Sequence, residues 1–213
     1  MRIVILSDTH ELHRHYGREP WGDVPAGDLL VHCGDITTHG IDQEVENFLR
    51  WFERQPHPYK VWIAGNHDRS LDGVDVATRW AVPGIIYLEN KATEIPGLTI
   101  WGSPYTPDHQ DFAFQLRDRA RSMWASIPAN VDLLVTHGPP YGIMDTGHGE
   151  EHAGCPTLLE EIQQRVKPKI HAFGHIHEGY GQQRIAETLF INASVHTWLW
   201  KQEPRQDPHV IQQ

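Results

Sequence analysis

Short apolar runs recur along the chain, and each is closed abruptly by polar residues. They are Arg2–Leu6, Leu29–His32, Lys60–Ala64, Ile85–Leu88, Leu98–Trp101, Asp132–Thr136, Lys169–Phe173 and Thr188–Asn192. At four or five residues each, they are too short for helices and predict buried strands. Between some of them the period changes. Ile41–Phe52 puts Ile41, Val45, Phe48, Leu49 and Phe52 near i, i+3, i+4 spacing, which predicts an amphipathic helix. Phe112–Ala125 and Thr157–Val166 read the same way, with Thr157 and Glu160 spaced as a capping box. Trp62, Trp101 and Trp124 fall on apolar faces and predict core. The first half thus alternates strands with a helix, and the second half sets strands close together. That order predicts an α/β domain with a mixed sheet, or two packed sheets flanked by helices. Residues 1–201 form the expected domain. Gln202–Gln213, polar and carrying two prolines, is the expected loose tail.

Composition narrows the function. The chain of 213 residues carries 28 acidic groups against 18 Lys plus Arg, a formal charge of -10. A protein that grips a phosphate backbone needs a basic face, so long nucleic acid is a poor partner here. Small phosphorylated ligands remain open, because bound cations supply positive charge locally. Cys33 and Cys155 are too few for a disulfide framework. The apolar start Met1–Leu6 is too short for a signal-peptide core, and no run reaches the roughly 20 apolar residues of a membrane span. A cytoplasmic protein without membrane attachment is expected. Sequence alone says nothing of oligomeric state.

Histidine is abundant, at 16 residues, and its placement is informative. Arg2–Leu6 runs into Ser7-Asp8-Thr9-His10, and Leu29–His32 into Cys33-Gly34-Asp35. Lys60–Ala64 runs into Gly65-Asn66-His67-Asp68, Asp132–Thr136 into His137-Gly138, and Lys169–Phe173 into Gly174-His175-Ile176-His177. Five predicted strands therefore deliver Asp, Asn and His at their carboxyl ends, the edge where α/β sheets bind ligands. Asp and His donors suit Mn, Fe, Co, Ni or Zn. Gly34, Gly65 and Gly174 let the chain bend and come close just before the donors. Each block alone is weak, since Gly-Asp is usually a turn. Five in order, each ending an apolar run, are hard to obtain by accident.

The blocks Asp-x-His, Gly-Asp, Gly-Asn-His-Asp, a lone His and Gly-His-x-His resemble the calcineurin-like metallophosphoesterase superfamily over Met1 to about Ala193. Within it the chain is similar to the metallophosphoesterase-domain (MPPED) branch. The stretches Gly27–His32, Ile63–His67, Thr136–Pro140, Gly154-Cys155 and His177–Gly181 carry that likeness. Some vertebrate members of the branch have Gly where this chain has His175. The resemblance implies a four-layer α/β/β/α sandwich of two mixed sheets flanked by helices. It implies one divalent ion on Asp8, His10, Asp35 and His177, and a second on Asp35, Asn66, His137 and His175, with manganese expected to serve activity. It implies in-line attack on phosphorus by a hydroxide bridging ions roughly 3.5–4 Å apart. His67 would protonate the leaving oxygen, and Asp68 would orient His67 by accepting its other N–H. The implied activity is hydrolysis of phosphodiesters, cyclic nucleotides included. A phosphomonoesterase, a nucleotide pyrophosphatase, a nuclease and a non-catalytic scaffold are the alternatives. The loops Glu11–Pro25, Ser103–Phe112 and Tyr141–Cys155 would select the substrate. Tyr105, Phe112 and Tyr141 are candidates to stack on a base. Asp145, His148, Glu150, Glu151 and His152 read better as solvated loop residues than as substrate contacts.

Overall fold

The computed structural model describes residues 1–18, 22–147, 149, 151–196 and 206–213. Eleven strands form among them: β1 (Arg2–Leu6), β2 (Leu29–Cys33), β3 (Tyr59–Ile63), β4 (Ile85–Tyr87), β5 (Lys91–Ile95), β6 (Leu98–Ser103), β7 (Leu133–Thr136), β8 (Ile170–Phe173), β9 (Gly181–Ile185), β10 (Thr188–Asn192) and β11 (His209–Gln212). Four α-helices accompany them: α1 (Asp42–Glu53), α2 (Val76–Arg79), α3 (Ala120–Ala125) and α4 (Pro156–Glu161). One sheet has the order β11-β1-β2-β3-β4, the other β5-β6-β7-β8-β10-β9. The central neighbours β1/β2, β2/β3, β6/β7, β7/β8 and β8/β10 are parallel, and β11, β5 and β9 close edges antiparallel. Both sheets are therefore mixed.

Alternation along the strands makes the layers. Ile3, Ile5, Leu29, Val31, Val61 and Ile63 of the first sheet form one buried cluster with Ile100, Leu133, Val135, Ile170, Ala172 and Ile191 of the second. The alternate residues face outward, where Leu30 and Trp62 meet Phe48 and Phe52 of α1, and Trp101 and Phe173 meet Trp124 and Leu158 of α3 and α4. The result is helix, sheet, sheet, helix. The three tryptophans expected in the core are at most 1% exposed.

Several expectations shift. The helix predicted over Phe112–Ala125 begins only with a 3-10 turn at Arg117–Arg119, because the Phe112–Leu116 stretch is occupied elsewhere: Thr106 and Phe114 bond backbone to backbone, as do Leu116 and Thr106. Thr157 does not cap its helix. Cys155 holds that position and Pro156 opens the first turn, where a missing N–H costs nothing. The helix then widens into a π turn, Ile162–Val166, which ends at left-handed Lys167. The expected loose tail is a strand at its far end, with Val210 opposite Val4 and Ile211 opposite Ile3. The boundary at 201/202 and residues 202–205 lie outside the described residues.

Candidate metal centre

Parallel strands in both sheets end at the same edge. There Ser7 and Ser194 bridge the two sheets, through Ser7 N–H to Ala193 C=O (2.8 Å) and Val195 N–H to Ser7 C=O (3.0 Å). The loop after β1 carries Asp8 and His10, that after β2 Asp35, and that after β3 Asn66, His67 and Asp68. Beyond β7 and β8 come His137, His175 and His177. The structure brings all nine residues to this one edge.

The donors fall into two groups. Asp8, His10 and His177 have ligand atoms within 4.8 Å of one another, and so do Asp35, His137 and His175. Asp35 lies between the groups, its Oδ2 3.3 Å from His137 Nε2 and 3.7 Å from His10 Nε2. Asn66 Oδ1 is 2.9 Å from His137 Nε2.

Tautomers test whether a cation fits. His137 Nδ1 is 2.8 Å from the Cys33 carbonyl and His10 Nδ1 is 2.9 Å from the Thr37 carbonyl. A carbonyl only accepts, so both Nδ1 atoms carry a proton, and in the neutral ring each Nε2 presents a lone pair. Those lone pairs face acceptors. His137 Nε2 points at Asp35 and Asn66 oxygens, and His10 Nε2 stands 3.4 Å from His177 Nε2. Lone pairs and carboxylates converge on shared points, an arrangement that a cation between them satisfies, and carbonyl-oriented histidines are the usual support of metal ligands. The donor set fits divalent ions.

Ionisation agrees. Burial works to raise the pKa of Asp8, but the hydrogen bond to His177 and its charge outweigh it and hold the carboxyl well below its ordinary value. Burial is likewise outweighed at Asp35, chiefly by His137, so it too stays ionised. Burial pushes His10 down to about 4 and His175 to about 3. At His137 the adjacent Asp35 and Asp8 overcome burial and raise the pKa to about 9, so a proton there answers the same excess of negative charge that a cation would.

The backbone pays for this convergence in strain. Asp8 (φ 55°), His10 (φ 41°), Asp35 (φ 54°) and His175 (φ 70°) all adopt the left-handed region, rare for non-glycine residues and concentrated at functional sites. Close approach explains two glycines. A Cβ on Gly65 would collide with the Asp35 carboxylate and sit 2.7 Å from His137 Cε1, and one on Gly174 would run into Asp8 Oδ2 and Ser7 Oγ.

Asp68 departs from its expected role. Its carboxylate accepts from Gly65 N–H (2.8 Å), Thr37 N–H (2.9 Å), Thr37 Oγ1 (2.7 Å) and Ile36 N–H (3.3 Å), not from His67. Buried, it ties the loop after β2 to the loop after β3. Burial and the neighbouring Asp35 charge push its pKa up to about 7. The partner of His67 Nδ1 is the Thr38 carbonyl, at 3.4 Å. The His67 ring sits 4.8 Å from the His10 ring and 4.8 Å from Phe112. Of the loop residues, Phe112 alone among the three candidate aromatics meets His67; Tyr105 is buried against Phe114 and Arg119. Asp145 pins the 141–155 loop by accepting from Gly142, Gly154 and His152. His148 and Glu150 lie outside the described residues.

Sequence reasoning missed the contribution of β10. Ser194 Oγ donates to Asp8 Oδ2 at 2.7 Å, and His196 packs its ring against His10 (5.3 Å) and His177 (5.2 Å). The signal was the same as for the other blocks: an apolar run, Thr188–Asn192, ending in Ser194 and His196.

The model of the family described as calcineurin-like phosphoesterase matches residues 1–179. The chain belongs to this family. Its calcineurin-like fold and donor set make it a metal-dependent phosphoric ester hydrolase. It is 35% identical to human metallophosphoesterase domain-containing protein 1 across 99% of this chain and 70% of that protein. A UPF0046 protein of Caenorhabditis elegans is 36% identical across 91% of this chain and 69% of its own length. Among solved structures, a phosphopantetheinyl hydrolase from Mycobacterium tuberculosis superposes with a TM-score of 0.62 at 15% identity, covering 91% of this chain and 88% of that one, which speaks to the fold. Among the described residues no helix of this calcineurin-like chain is long and apolar enough to cross a membrane.

Proposed function

We propose that the chain hydrolyses small phosphodiesters, cyclic nucleotides among them, at a centre of two divalent ions, with manganese serving turnover best. The observation that carries this reading is the convergence of two donor groups on Asp35, with the Nε2 lone pairs of His10 and His137 fixed inward by carbonyls. Asp8, His10, Asp35 and His177 would hold one ion; Asp35, Asn66, His137 and His175 would hold the other. Bound there, the ions would supply an activated water and neutralise charge growing on the phosphoryl oxygens.

The chain's own residues do the rest. Asp35 sets the spacing of the two halves. His67, beside His10, donates a proton to the leaving oxygen from Nε2. Its Nδ1 faces the Thr38 carbonyl, which orients the ring and leaves Nε2 toward the centre. Phe112 beside His67, with the Arg69 guanidinium 5.2 Å from its ring centroid, gives a flat apolar surface and a cation for a base or aryl group. Charge favours a diester. Two divalent ions less Asp8, Asp35 and the nucleophile leave about +1, which matches a phosphodiester monoanion better than a monoester dianion. Asp68 does not enter that sum, since its oxygens are taken by backbone and Thr37 donors. Cys33 and Cys155 are buried and unpaired, in keeping with a reducing, cytoplasmic setting.

The test is a panel with the manganese-loaded protein: bis(4-nitrophenyl) phosphate, 4-nitrophenyl phosphate and 2′,3′- and 3′,5′-cyclic AMP. The expected result is kcat/KM for the aryl diester about tenfold or more above the monoester, a gap of roughly 1.4 kcal/mol in barrier. A monoester preference would replace this reading with a phosphomonoesterase. Absence of turnover on all four would remove it.

A further inference from the structure

We infer that His196 is a second substrate-contacting imidazole, donating a hydrogen bond from Nε2 to a phosphoryl oxygen held at the centre. This rests on the phosphoesterase reading above and adds a residue that none of the motif blocks contains.

Position comes first. The loop after β10 leaves the sheet at Ser194, whose hydroxyl holds Asp8, and two residues on it turns the His196 ring into the ligand cluster. That ring meets His10 edge-on at 5.3 Å and 77°, and His177 at 5.2 Å and 60°. His67 meets His10 edge-on as well, at 4.8 Å and 81°. His10 thus has two imidazoles outside the donor groups, His67 and His196, set edge-on to it. Yet His196 is absent from the donor groups whose atoms lie within 4.8 Å of one another. It stands beside two of the candidate ligand rings without joining either donor group.

The ring's hydrogen bonding says which atom is available. Nδ1 is buried and has no partner among the described residues. Nε2 is not among the buried unpartnered atoms, so it is the nitrogen open to solvent. A neutral imidazole carries one N–H. An N–H sealed from water without an acceptor costs about 1–3 kcal/mol, so the proton belongs on Nε2. A donor at that atom, unclaimed among the described residues, is what an anionic phosphoryl oxygen requires. His67 and His196 then divide the work. His67 serves the leaving oxygen, and His196 serves an oxygen that stays on phosphorus. The effect of His196 should therefore be the same for good and poor leaving groups, whereas that of His67 should grow as the leaving group worsens.

The experiment compares wild type, His196→Ala and His196→Gln by three readouts: metal content, affinity of the manganese-loaded protein for inorganic phosphate, and kcat/KM on aryl and alkyl phosphodiesters. The glutamine variant keeps a donor of similar reach and guards against a misfolded alanine variant. The expected result is unchanged metal content, phosphate affinity down about tenfold in the alanine variant, and kcat/KM down about 10²-fold on both esters, with partial recovery in the glutamine variant. Wild-type phosphate affinity and turnover in His196→Ala would overturn the proposal. So would loss of metal in both variants, which would make His196 a support for His10 and His177 instead. If wild type turns over no ester but its phosphate affinity still depends on His196, the phosphodiesterase reading falls and the His196 contact stands.

Discussion

At the residue scale the candidate ligands and His67 separate cleanly. His67 has its ring 4.8 Å from His10, yet its backbone N–H is what binds Asp35 Oδ1, at 2.8 Å. Truncating the imidazole therefore spares the ligand frame. His67→Ala is expected to keep the wild-type metal content and to lose about 10²–10⁴-fold in kcat on an alkyl diester, with a smaller loss on a nitrophenyl ester that needs no acid. An equal loss on both esters would take the leaving oxygen away from His67. The residues that converge at this edge were legible because each closes an apolar run. The role of Asp68 was not. The family resemblance implied a bond from His67 to Asp68, but the turn after β3 sends the Asp68 carboxylate back under Gly65 and across to Thr37. His196 was missed for a related reason: its block lacks a glycine and a second donor, so only its place after a strand marks it.

At the scale of elements, the strands that position the site and the edge strand β4 were readable, whereas the edges β5, β9 and β11 were not. β1, β2, β3, β7 and β8 are mostly apolar because both faces are largely covered. β5 and β9, with the sequences Lys91-Ala92-Thr93-Glu94-Ile95 and Gly181-Gln182-Gln183-Arg184-Ile185, are edge strands largely open to solvent and carry almost no apolar pattern. β11 was hidden by the polar residues around it. Its pairing with β1 places Ile211 against the inter-sheet core and covers the edge of the strand that leads to Asp8 and His10. Removing residues 206–213 is expected to lower stability by about 2 kcal/mol, from the apolar burial of Ile211 and its neighbours, and to promote association through the bared β1 edge. Urea unfolding and light scattering check this; unchanged stability would make the β11 pairing incidental.

At the scale of the molecule, two sheets bring their parallel carboxyl ends to one edge, and the Ser7–Ser194 bridge locks them there. That edge gathers donors from positions 8 to 177 of a chain whose formal charge is -10. Two divalent ions bound there would turn one spot of an acidic protein attractive to a phosphate while the rest repels long polyanions. The central claim is that Asp35 is shared by both ions. Elemental analysis of manganese-loaded wild type and Asp35→Asn tests it most directly. The account predicts close to two ions per chain in wild type and the loss of both affinities together in the variant. Two ions retained in Asp35→Asn, or a single tight ion in wild type, would contradict it.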